Sequence, residues 1–151
     1  GRQLANELNS IFFDLDHEIE KEMGATVQQI FKQYGESFFR KQESETLRSL
    51  TETYTTFILA TGGGAPVFHD NMKFMNSNGI TIFLDVPVQE IVNRIYKYSK
   101  NDRPLLASLS PTELRDTVEQ LRTQRMEFYD QAKIKLQGVV QLNDLVAALA
   151  P

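Results

Sequence analysis

The 151-residue sequence contains no cysteine, which excludes disulfides and thiolate chemistry and suits a cytosolic location. Histidine is nearly as scarce, and with two of them no structural zinc site is expected. No apolar run approaches the roughly 20 residues that span a bilayer, and the opening residues do not read as a signal peptide. Positive charge is in short supply as well. Sixteen Lys and Arg face 20 Asp and Glu, a net charge of −4, so no global attraction to nucleic acid or to an anionic membrane is expected. The rest is ordinary for a globular protein, at 41% hydrophobic and 24% charged residues. The length suits one domain with a substantial core, and residues 1–151 are read as that single domain.

Periodicity divides the chain into alternating strands and helices. Residues 2–9 read as the end of a helix with Leu4, Ala5 and Leu8 on one face. Ile11–Phe13 is a strand, followed by an acidic helix near Asp16–Met23 that Gly24 breaks. Thr26 caps a helix carrying Val27, Ile30 and Phe31, and Glu36–Leu50 is another, with Phe39, Glu43, Leu47 and Leu50 at helical spacing. Phe57–Ala60 and Ile80–Leu84 read as strands, and Val88–Tyr98 as a helix. Asn101–Ser110 is a loop, and Pro111 opens a long helix to about Tyr129. Ile134–Leu136 is a weak last strand and Leu142–Leu149 a last amphipathic helix. Such alternation predicts an α/β fold in three layers, a parallel sheet between helices.

Several residues stand where this architecture places chemistry. Asp14 and Asp16, at the end of the first strand, project to one side if the segment is extended. One would serve a hydrated metal and the other a bound hydroxyl; the plainer alternative is an acidic loop capping the next helix. Gly62, Gly63 and Gly64 follow a strand directly, so their amides suit oxygen ligands, although a tight turn alone also explains them. Arg40 opens a helix near the strand ends, placed either for a carboxylate or for an ion pair with Glu36 or Glu43. Arg103 lies in the longest loop, where a cation can close over a phosphate or remain a solvated charge. Arg122 and Arg125 sit about a turn apart on the long helix, with Tyr129 a turn beyond.

The joint order of these motifs is far more specific than any one of them. Phe13-Asp14-Leu15-Asp16, Gly35-Glu36-Ser37-Phe38-Phe39-Arg40-Lys41-Gln42-Glu43, Ala60-Thr61-Gly62-Gly63-Gly64, Arg103-Pro104-Leu105-Leu106 and Arg125–Tyr129 together resemble the shikimate kinases, from Gly1 to about Ala132. The resemblance implies a P-loop, nucleoside monophosphate kinase-like fold with a five-stranded parallel sheet. It implies transfer of the ATP γ-phosphoryl group to the 3-hydroxyl of shikimate, with ATP and Mg2+ as cofactors, in aromatic amino-acid biosynthesis. By the same resemblance Asp16 contacts the substrate hydroxyls as base, and Arg40 and Arg125 grip its carboxylate beside Gly62, Gly63 and Gly64. Glu43 orients Arg40, and Phe31 and Phe39 wall the pocket. Asp14 reaches magnesium through water, Arg103 is the arginine of a lid over about residues 101–110, and Arg94 lies on the nucleotide side.

One family motif has no counterpart. No G-x-x-G-x-G-K-[ST] phosphate loop occurs in the sequence, and Gly1-Arg2-x-Leu4-Ala5 resembles the stretch that follows it. The expectation is that a strand and its P-loop lie upstream, that residues near Gly138 are also short of the family pattern, and that 1–151 alone binds ATP barely and is inactive. A gluconate-like polyol-acid kinase and a non-catalytic shikimate-binding remnant are the alternatives. The partners expected are the small-molecule substrate, with no nucleic acid and no membrane, for a monomer in the cytoplasm.

Overall fold

The computed structural model describes residues 1–98 and 109–150. In chain order these form α1 (Arg2–Glu7), β1 (Ile11–Asp14), α2 (Leu15–Met23), α3 (Val27–Thr53), β2 (Phe57–Ala60), a 3-10 turn (Ala65–Val67), α4 (Asn71–Asn78), β3 (Ile82–Asp85), α5 (Val88–Tyr98), α6 (Pro111–Tyr129), β4 (Ile134–Gln137) and α7 (Leu142–Leu149). Residues 101–108 of the expected lid, Arg103 among them, lie outside the described residues. No helix among the described residues is long and apolar enough to cross a membrane.

The strands are parallel, as the alternation with helices predicts, and they pair two by two. β1 lies beside β2 with Asp14 opposite Ala60, and β3 lies beside β4 with Asp85 opposite Gln137. Each described strand therefore has one neighbour, and every strand residue is at least partly exposed. The deepest burial is in helices instead. Leu15 and Ile19 of α2 pack with Ile30, Phe39 and Leu47 of α3 and with Ala65, while Val92 and Ile95 of α5 pack with Leu114 and Val118 of α6. Full burial of such side chains contributes roughly 1.5–3 kcal/mol each.

The long helix α3 is two helical pieces joined at a kink. Thr26 caps the first through a reciprocal capping box with Gln29. Gly35, at φ 83° and ψ 174°, turns the axis, and the second piece buries Phe39, Glu43, Leu47 and Leu50 on one stripe. That backbone conformation is essentially restricted to glycine. The first helix is Arg2–Glu7, and Leu8 ends it 43% exposed, so only Leu4 and Ala5 form the expected apolar face. The third strand starts at Ile82 and not at Ile80, which is 59% exposed and precedes Thr81, whose hydroxyl is bound to Asn76.

Helix α4 has no clear periodic signal in the sequence and is anchored by tertiary bonds. Asn71 is fully buried, donates from Nδ2 to the Ala65 carbonyl at 2.9 Å, and accepts from Arg48 Nη1 at 2.9 Å. Arg48 also bonds the Ser44 hydroxyl and the His69 carbonyl and lies over the Phe74 ring. It thus ties α3 to the turn where His69 and Asp70 hold positive φ.

Replacing Gly35 by alanine should destabilise the protein by about 1–3 kcal/mol, the scale for a side chain forced into a glycine-only conformation. Denaturant unfolding of the two proteins measures this. Equal midpoints and slopes would mean that the kink needs no glycine.

Candidate functional site

The register of β1 and β2 decides where the chemistry converges. With Asp14 opposite Ala60, the Asp14–Asp16 segment and Thr61–Gly64 leave the same end of the strand pair. Asp14 is the last strand residue and caps α2, accepting from the His17 amide at 3.3 Å. That cap ends the strand, so Asp16 lies in the first turn of α2 and not on an extended segment as the sequence spacing suggests. Both carboxylates are exposed.

The three glycines meet different demands. Gly62 has φ 69° and needs the left-handed region. At Gly63 a methyl group would come 2.8 Å from Tyr129 Oη and 3.0 Å from Arg125 Nη1. At Gly64 it would press into the Arg40 guanidinium, 2.8 Å from Cζ and 2.9 Å from Nη2. Two guanidiniums, from α3 and α6, thus lie against successive residues of one loop.

Arg40 is no surface charge, since its side chain is only 12% exposed. Nη1 donates to Glu43 Oε2 at 2.8 Å, while Nε and Nη2 donate to Glu36 Oε1 at 3.2 and 3.1 Å. The rings of Phe68, Phe39 and Phe31 lie 4.7, 5.6 and 5.9 Å from its Cζ. Burial works against the Arg40 charge, yet the two glutamates outweigh it and raise its pKa. Burial pushes the Glu43 carboxyl up, and Arg40 only partly offsets this. Asp16 raises it further and Arg125 lowers it through space, so Glu43 feels the three other charged residues of the site. The Glu43 shift, set by its burial, is the one that governs pH dependence in the acid range; Arg40 stays charged throughout it.

The remaining sequence candidates are spread more widely. Arg122 is occupied at the C-terminal end of β3, donating to Asp85 Oδ1 at 2.7 Å. Arg94, half-exposed on α5, pairs with Glu90 at 2.7 Å. Sequence reading missed the roles of Tyr129 and Asp85. Tyr129 Oη donates to the Gly63 carbonyl at 2.6 Å and its ring packs 4.9 Å from that of Phe83. The one available signal was the spacing of Tyr129 after Arg125; Asp85 gave none.

A family model described as shikimate kinase matches residues 1–147 of this chain. The chain belongs to the shikimate kinase family. A shikimate kinase of Phocaeicola vulgatus is 41% identical over 133 residues, covering 88% of this chain and 75% of the relative. Among solved structures, the shikimate kinase of Bacteroides thetaiotaomicron superposes with a TM-score of 0.88 at 35% identity, covering 98% of this chain and 84% of the other. Shikimate kinase from Acinetobacter baumannii, solved in complex with shikimate, gives a TM-score of 0.83 at 34% identity and covers 97% and 79%. The fold is that of the P-loop kinases, and the activity is that of the family, phosphoryl transfer from ATP to shikimate.

The burial of Glu43 has a measurable consequence. Its folded pKa lies above the ordinary 4.5, so the folded protein holds this proton more tightly than the unfolded chain does. That contribution to stability is fully present below the ordinary value and is lost as pH rises through the folded one. Unfolding free energies of parent and Glu43→Gln, measured from about pH 4 to about pH 8, should show the parent losing ground to the variant as pH rises. The opposite slope would mean that the Arg40 pairing outweighs the burial.

Proposed function

We propose that Arg40 and Arg125 hold the carboxylate of shikimate against the Gly62–Gly64 amides, and that Asp16 orients and deprotonates the 3-hydroxyl that accepts the γ-phosphoryl group. The observation that supports this is the approach of two guanidiniums, from different helices, to successive glycines of the loop that starts opposite Asp14. A guanidinium fork matches a carboxylate in charge and in geometry. Glu43 fixes Arg40 through the 2.8 Å bond, and Phe31 and Phe39, 4.7 Å apart, form an aromatic wall beside it. The relative from Acinetobacter baumannii was solved in complex with shikimate, which supports shikimate as the ligand.

The acceptor hydroxyl is a poor nucleophile until its proton is taken, and an exposed carboxylate in the first turn of α2 suits that task. Holding substrate at three points, two arginines and Asp16, converts a bimolecular encounter into a positioned one.

Asp14 is the fitting residue for Mg2+. By the family resemblance Asp14 would reach the ion through a metal-bound water, as Mg2+ tends to keep its waters. When bound, Mg2+ neutralises charge on the phosphates. The residues present assemble the acceptor side, since the sequence holds no glycine-rich loop with a lysine to cradle a triphosphate. Arg103 and Arg94 are assigned to the phosphate and nucleotide by resemblance. We further propose a single domain, acting as a monomer in the cytoplasm.

Asp16→Asn in the intact enzyme should lower kcat by about 10²–10⁴-fold, the usual contribution of a general base, with little change in ATP affinity. Steady-state kinetics with each substrate varied in turn measures this, and near-normal turnover would refute the assignment.

Arg125→Ala should raise the shikimate KM roughly 10- to 100-fold, from the loss of a charge-assisted bond of about 1.5–3 kcal/mol. The carboxamide of shikimate should bind the parent poorly and lose much less on the same substitution. Equal losses for acid and amide would show that Arg125 does not touch the carboxylate.

A further inference from the structure

Tyr129 contacts both the loop that follows β2 and the middle of β3. Its hydroxyl donates to the Gly63 carbonyl at 2.6 Å, on the loop that follows β2. Its ring packs 4.9 Å from Phe83, in the middle of β3, with 34° between the planes. The bond and the ring contact together hold α6 between the glycine loop and β3 at this end. Arg125 lies one turn before Tyr129 on α6, and Arg40 reaches Gly64 from α3. The distance between the two guanidiniums therefore depends on how closely α6 is held to the glycine loop.

We infer that Tyr129 is a positioning residue that sets the width of the carboxylate site by pinning Arg125 to Gly63. This rests on the carboxylate reading above and adds to it a residue that touches no substrate. The bond is neutral and partly open to water, so its loss should widen the site without emptying it. The ring contact with Phe83 would survive a change to phenylalanine and keep α6 against β3. The geometry also gives the glycine at 63 a reason beyond turn formation: any side chain would strike the Tyr129 oxygen first and Arg125 next.

The test uses the intact enzyme and four variants, Tyr129→Phe, Gly63→Ala, the double variant carrying both, and Arg125→Ala, with shikimate and its carboxamide as probes. Calorimetric titration gives Kd for each, and steady-state kinetics separates KM from kcat. Tyr129→Phe should weaken shikimate binding about three- to tenfold, the scale of one neutral hydrogen bond, with kcat and the ATP KM unchanged and the carboxamide unaffected. Gly63→Ala should weaken shikimate binding more in the parent than in the Tyr129→Phe background, where the nearest clashing atom is gone. An unchanged Kd, an equal loss for acid and amide, or additive effects of the two substitutions would each overturn the inference. Arg125→Ala separates the layers. If it discriminates acid from amide and Tyr129→Phe does not, the positioning role fails and the carboxylate site stands; if it does not discriminate, the carboxylate reading itself falls.

Discussion

The buried ion pair of Glu43 and Arg40 is the constraint around which the rest of the site is arranged. Glu43 is only 2% exposed, on the same helical stripe as Phe39 and Leu47, where an apolar side chain would pack at no electrostatic cost. An unpaired carboxylate there would be penalised by several kcal/mol, so Arg40 must stay within bonding distance. Pairing with Glu43 and Glu36 on one side and three aromatic rings around it leave the guanidinium little freedom. Gly64 has no side chain for the corresponding reason: the space a methyl group would fill is Arg40. A buried pair of this kind is weak evidence for stability, and its value here is placement. It presents a fixed, charged fork to whatever binds against the glycine loop.

Much of the fold was legible because its elements rest on local rules. The Thr26 cap, the turn at Gly24 and the stripe Phe39–Leu50 are contained in short windows, and the structure places them as expected. The errors arose where a local rule met a competing one. The Asp14 side chain that looked like part of an extended pair is a helix cap, and the cap moves Asp16 into the helix. Helix α4 has polar residues and no strong stripe, and it depends on Asn71 and Arg48, 23 residues apart in sequence. Ile80 is apolar and read as strand, but the ladder to β4 begins at Ile82.

The site shows the same division. Arg40, Arg125, Asp14, Asp16 and the glycines lie in motifs readable in order along the chain, and even Glu43 had a signal, a carboxylate at an apolar position of a helical stripe. The bonds that set their geometry left no such trace. Tyr129 to Gly63 spans 66 residues and Arg122 to Asp85 spans 37. Neither separation has a period, and each pair becomes evident only when two elements are packed together. Arg122 and Arg125 look alike in the sequence; the structure separates them by what each faces, a strand-end carboxylate for one and a glycine for the other.

The site draws its groups from two sets of elements. Arg40, Glu43 and Asp16 come with β1, β2 and their helices, whereas Arg125 and Tyr129 come with α6, packed on α5 beside β3. On the proposed reading, a carboxylate held by both arginines would bridge these two sets. Bonds between these sets include Tyr129 to Gly63, Asn76 Nδ2 to the Gln131 carbonyl at 2.8 Å, and the Thr81 hydroxyl to Asn76. Ligand and cross-links then act on one coordinate, since a bound carboxylate draws together the same parts the bonds hold. On the proposed reading, substitutions far from Asp16 can for that reason change affinity for the acid while leaving the geometry around Asp16 as it was.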